Sequence, residues 1–157
     1  MKLINVVGVL IFILSLSTSN CFANELTVTN KDSDGNYISA HGGGIYSSNG
    51  KYFWYGENRY SGSNSGVSMY QSSDLLSWKN LGVIFHSSDI KGESGEYFLE
   101  RPKIIYNKLT HKYVMWFHVE SKKGNYKSAL AGVATSDALQ GPYHFKYASR
   151  INKGKPP

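Results

Sequence analysis

His41 is followed by three glycines, in the stretch Ala40-His41-Gly42-Gly43-Gly44-Ile45-Tyr46. An imidazole beside side-chain-free backbone admits three chemistries: a phosphate cradle, a metal corner, or a bend at which something large approaches the main chain. A phosphate cradle needs a glycine turn that feeds a helix N-terminus. Here the glycines run into "IYSSNGKYFWY", an aromatic and β-branched pattern of strand type, which argues against nucleotides. A metal corner needs a second His or a carboxylate at ligand spacing, and none follows. The bend remains, because glycine lets a ligand or another backbone come close. His41 beside it either faces a ligand or is satisfied by neighbouring backbone.

The elements that must position these residues are strands. After Asn36, "YFWYGE", "GVSMYQSS" and "NLGVIFH" are short β-rich runs, separated by the loop "NRYSGSNS" and the turn "DLLSW", and no helical period is sustained. The same order recurs. "KYFWYGE" parallels "KYVMWFH" at an offset of 61, and "VSMYQSSD" parallels "LAGVATSD" at an offset of 63. Each unit of about sixty residues reads as four antiparallel strands, the first being "GGGIYSS" or "RPKIIYN". Such a unit describes a propeller blade, which needs neighbours to bury both faces. Closed propellers carry about 4 to 8 blades, whereas this sequence has two. The expectation is therefore a piece of a longer protein, or association of open blade edges with other chains.

Composition narrows the partners. The chain has 12 Tyr, 7 Phe and 3 Trp; strand cores use most aromatics, and sugar-binding clefts stack them on pyranose faces. Trp54, Trp78 and Trp116 fall inside or just after strand patterns and are assigned to blade cores. The net charge is +6, but the lysines are scattered, with only a weak "KGK" near the C-terminus. A solvated basic surface, without nucleic-acid binding, is the reading adopted. Residues 1–23 carry Lys2, an apolar run over 6–16 and a polar stretch ending in "NCFA", the pattern of a cleaved secretion signal. That run is about half of the ~20 residues needed to span a bilayer. A lipid anchor at Cys21 is disfavoured by Asn20. The mature part, 24–157, is then secreted or periplasmic, without stable membrane insertion, and cleavage removes the only cysteine.

Together "AHGGGI", "YFWYGEN", "YQSSDLLSW", "LERPKIIYN", "YVMWFH" and "GVATSDALQGPY" resemble the first two blades of family 43 glycoside hydrolases, in the branch of exo-acting β-1,3-galactanases. The resemblance covers about 35–147 and implies an all-β, five-bladed β-propeller, here represented by two four-stranded antiparallel blades. It implies inverting hydrolysis of an oligo- or polysaccharide with no redox cofactor. Inversion uses two carboxyl groups about 6.5–9.5 Å apart, one protonated and one activating water. Many members carry the aspartate base on the first strand. Ala40-His41-Gly42 stands there instead, in agreement with the galactanase-like branch, where the resemblance implies a side-chain amide from a later blade.

The acid in this family comes from the third blade, so the chain alone is expected to hydrolyse nothing. Glu100 matches the carboxylate that positions the sugar and tunes the acid; Arg101 beside it either binds hydroxyls or pairs with Glu100 as a buried structural pair. Glu57 matches a carboxylate that hydrogen-bonds terminal galactose, or is a solvated loop acid. Tyr126 is either a sugar contact or a packing residue, and His41 joins the substrate-binding set. A non-catalytic carbohydrate-binding or interaction module is the alternative.

Overall fold

The computed structural model describes residues 30–59, 66–92, 96–124, 126–152 and 154; the segment 1–23 expected to be a secretion signal, Cys21 included, lies outside them. Eight strands form two sheets of four, each in sequence order and antiparallel. The first sheet holds β1 (His41–Ser48), β2 (Lys51–Asn58), β3 (Gly66–Ser72) and β4 (Lys79–His86). The second holds β5 (Tyr97–Asn107), β6 (Lys112–Ser121), β7 (Leu130–Ser136) and β8 (His144–Ser149). A single 3-10 turn at Ser87–Asp89 is the only helical element among the described residues, and no helix there is long and apolar enough to cross a membrane.

Local chemistry accounts for the turns. The β1–β2 hairpin turns on Asn49-Gly50, both at positive φ (50° and 69°), the pairing that a two-residue primed turn selects. After β3, Ser72 Oγ accepts the N–H of Asp74 and Leu75, and Asp74 Oδ1 accepts those of Leu76 and Ser77. The bonds from Ser77 and Leu76, with the Ser72 hydroxyl, hold the Asp74 carboxyl down at about 2.

Alternation along the strands distributes the faces. Phe53 and Tyr55 of β2 join Val67, Met69 and Phe85 in one continuous core with Leu99, Ile104, Met115, Phe117 and Val119 of the second sheet. Tyr52 and Trp54 point to the opposite face and pack with Tyr70 and Trp78. The segment before β1 lies over that face: Ser33 N–H donates to Trp78 O at 2.8 Å and Ser39 N–H to Tyr70 Oη at 3.0 Å. The two blades are also tied directly, by Ile104 N–H to Tyr55 Oη and by Tyr143 N–H to Ile84 O, each at 3.0 Å.

Two readings of the sequence are corrected. Trp78 is a core residue and half-buried Trp54 packs against it, but Trp116 is no core residue: it is 38% exposed, on the strand face that carries exposed Ile105 and Tyr147. Met115 and Phe117 take the positions facing the first blade, so strict alternation sends Trp116 to the other side. At the offset of 61, Trp116 corresponds to Tyr55, the residue through which the first blade receives its neighbour. The second correction concerns the repeat. Tyr52 faces Ser72 and Tyr113 faces Ser136, so the ladder sets β3 and β7 at an offset of 64, one residue from the sequence match.

Candidate functional site: carboxylates at two equivalent bulges

Both first strands carry the same irregularity. In β1 the ladder slips between His41, opposite Glu57, and Gly44, opposite Tyr55. In β5 it slips between Glu100, opposite His118, and Lys103, opposite Trp116. The residue after the first pair is left-handed in both, Gly42 at φ 62° and Arg101 at φ 52°. Bulges of this kind re-aim side chains. Here they place an acid and a histidine opposite each other in each blade, in exchanged order: His41 with Glu57, and Glu100 with His118.

Glu57 is 1% exposed, so it is not a solvated loop acid. Its Oε1 accepts the backbone N–H of Arg101 at 2.8 Å, and Oε2 accepts Arg59 Nε–H at 2.7 Å and lies 2.6 Å from Arg59 Nη2. His41 Nδ1 stands 3.5 Å away on a largely exposed ring.

The glycines are thereby explained. A Cβ at Gly42 would lie 2.9 Å from Glu57 Oε1, and one at Gly43 would lie 1.8 Å from the Tyr55 carbonyl oxygen. What approaches the bare backbone is the protein's own β2 strand and carboxylate. The Lys103 ammonium in turn binds the carbonyls of Gly42 and Gly43.

Glu100 accepts the Tyr126 hydroxyl on Oε1 at 2.6 Å and faces His118 Nδ1 with Oε2 at 3.2 Å. Arg59 Nη2 lies 4.0 Å from the same Oε1, so one guanidinium spans both carboxylates. Burial pushes the Glu100 carboxyl up, but the bonds from Tyr126 and His118 and the nearby charges outweigh it and hold it below its ordinary value. Bonding to Glu100 raises the Tyr126 phenol. The Tyr126 ring is 52% exposed and stacked on Phe98 at 6.2 Å, so it is no core residue.

Arg101 does not form the buried pair with Glu100. Its main chain serves Glu57, while its side chain lines a groove with Lys103, Trp116, His118 and Arg150. The structure thus gathers Glu57, Glu100 and Tyr126 around Arg59, sets His41 at the rim, and turns the Arg101 side chain along the groove.

Sequence reasoning passed over Arg59, His118, Glu120 and Lys103. For His118 and Glu120 a signal existed: they alternate in "FHVES", so both fall on one strand face. Arg59 and Lys103 act across blades and carry no local mark. Among the described residues no group of three or more His, Cys, Asp and Glu is placed to hold a metal ion.

Two adjacent four-stranded antiparallel blades, with acids brought together at the bulges of their first strands, define a partial β-propeller. No protein-family model matches the sequence, and no curated protein matches it. Solved structures do. A family 43 β-1,3-galactosidase with galactodeoxynojirimycin shares 45% identity at a TM-score of 0.71, over 79% of this chain and 37% of that one. The exo-β-1,3-galactanase of Phanerochaete chrysosporium with galactose shares 38% at 0.69, over 76% and 28%. The exo-β-1,3-galactanase of Clostridium thermocellum shares 36% at 0.65, over 75% and 25%. The chain belongs to glycoside hydrolase family 43, in its galactanase-like branch. It spans between 25% and 37% of the length of these three proteins, as two blades of their five-bladed propeller.

Proposed function

We propose that this chain supplies the sugar-gripping portion of a secreted, β-1,3-galactan-directed glycoside hydrolase. The observation that carries the reading is the meeting of Glu57 and Glu100 on one guanidinium, Arg59, with Tyr126 beside them. The Glu100 carboxylate, held by the Tyr126 O–H, presents spare lone pairs to sugar hydroxyls, and buried Glu57 aims the half-exposed Arg59 guanidinium at the same place. His41 and Arg101 add exposed donors at the rim.

Glu100 is not prepared to give a proton. It is held below its ordinary value, whereas a general acid in glycoside hydrolysis needs a raised one, and Glu57 is buried against Arg101 N–H and the Arg59 guanidinium. Both therefore position substrate, and the acid and base of the inverting reaction fall to other blades. The chain is expected to bind galactose and galactodeoxynojirimycin by calorimetry, to prefer galactose to xylose, and to release no galactose from β-1,3-galactan. Galactose release by this chain, or equal affinity for xylose, would refute the assignment. An export signal at 1–23 suits a polymeric substrate.

A second reading has its own observation. Ile105, Trp116 and Tyr147 form an exposed apolar face on the blade surface equivalent to the one that docks the second blade on the first. Faces of this kind drive association, and self-association of the chain is the expected result. Sedimentation velocity should show an oligomer that Trp116→Ser weakens; a monomer at every concentration sinks the idea.

A further inference from the structure

Glu120 takes no part in the sugar contacts assigned above, yet it is 1% exposed and fully engaged. Its Oε1 faces His118 Nε2 at 3.0 Å and accepts Ala129 N–H at 2.7 Å; its Oε2 accepts Ser128 N–H at 2.9 Å. His118 is one of the two side chains that hydrogen-bond Glu100. The other, Tyr126, rides on the segment that Ser128 and Ala129 close. That segment contains two left-handed non-glycine residues, Tyr126 at φ 56° and Ala129 at φ 45°. Such conformations persist only where surrounding bonds impose them, and here the Glu120 carboxylate supplies two of those bonds.

We infer that Glu120 is a positioning residue for the sugar-binding site, fixing Glu100 from both sides through His118 and through the Ser128–Ala129 backbone that carries Tyr126. The inference rests on the reading of Glu100 as a sugar-facing carboxylate. His118 lies between two acids, Glu100 and Glu120, with Arg101, Lys103 and Arg150 along the adjoining groove. Both of its contacts are hydrogen bonds at once only when both ring nitrogens carry hydrogen. With one hydrogen the ring serves one carboxylate at a time, so Glu120 also governs whether the nitrogen facing Glu100 carries the hydrogen.

Glu120→Gln tests this in the full chain. The amide keeps the volume but offers one accepting oxygen where three donors converge. The expected result is a shifted His118 Nε2 resonance in ¹⁵N-histidine spectra, about tenfold faster amide exchange at Ser128 and Ala129, and moved Tyr126 ring signals. Galactose affinity falls about tenfold, as for loss of one charged hydrogen bond. Glu96→Gln, at an exposed acid paired with Lys122, leaves all four readouts unchanged.

A shift confined to His118, with Tyr126 and galactose affinity untouched, overturns the inference. Should Glu120→Gln fail to fold, the wild-type chain decides: protected amides at Ser128 and Ala129 support the role, and exchange at unstructured rates overturns it. If the wild-type chain binds no galactose, the functional reading fails, while the ring and amide signals still test Glu120.

Discussion

Gly43→Ala should unfold this chain at temperatures where the parent is folded. A Cβ there would lie 1.8 Å from the Tyr55 carbonyl oxygen and 2.6 Å from Gly56 Cα. Both are backbone atoms of β2, so no rotamer change relieves the overlap, and the β1–β2 ladder must part. Separating the strands also displaces Tyr55, whose hydroxyl accepts Ile104 N–H from the second blade. A cost of about 3–4 kcal/mol is expected, at the large end for single substitutions, against total stabilities of about 5–15 kcal/mol.

Gly44→Ala is the informative comparison. Its Cβ would meet the Tyr55 hydroxyl at 3.0 Å, the far end of a side chain that can yield. About 1 kcal/mol is expected there, the worth of the one interblade hydrogen bond it disturbs. Thermal unfolding followed by circular dichroism separates the two. Equal melting temperatures for both variants would mean that β1 and β2 do not pack as described.

Glu57→Gln has the largest expected effect on binding. The carboxylate is buried and accepts from Arg101 N–H and the Arg59 guanidinium. Glutamine keeps the shape, but its NH2 must face one of those donors, so a buried donor loses its acceptor. The Arg101 bond weighs more than the ion pair, because the Arg59 side chain is 49% exposed and its attraction is screened by solvent. A stability loss of about 2 kcal/mol follows. Galactose affinity should fall about a hundredfold, because Arg59 and the bulge at Arg101 lose their common anchor together. Calorimetric affinity within threefold of the parent would remove Glu57 from the sugar site.

The strands were legible in the sequence because their signals are local. Asn49-Gly50 demands a primed turn, runs of aromatic and β-branched residues mark β2 and β6, and the recurrence of the strand pattern announces a second blade. The family was legible for the same reason: its motifs are contiguous stretches. Glu57 and Glu100 were nominated through those motifs and Tyr126 through the stretch "GNYKSA", and the structure brings them together around an arginine that no motif singled out.

What only the tertiary structure decided depends on register and on residues far apart in the chain. Arg101 N–H meets Glu57 across 44 residues, and Lys103 meets Gly43 across 60. No short-range preference specifies such pairs. Glu100 and Arg101 are successive residues of β5, at the start of its bulge, and their side chains leave the strand in different directions, which is why those neighbours in sequence are not partners in space. The face of Trp116 was decided the same way, since a shift of one position along a strand exchanges its two sides. Sequence determined the strands and the family; packing of one blade on the next determined which groups became a site.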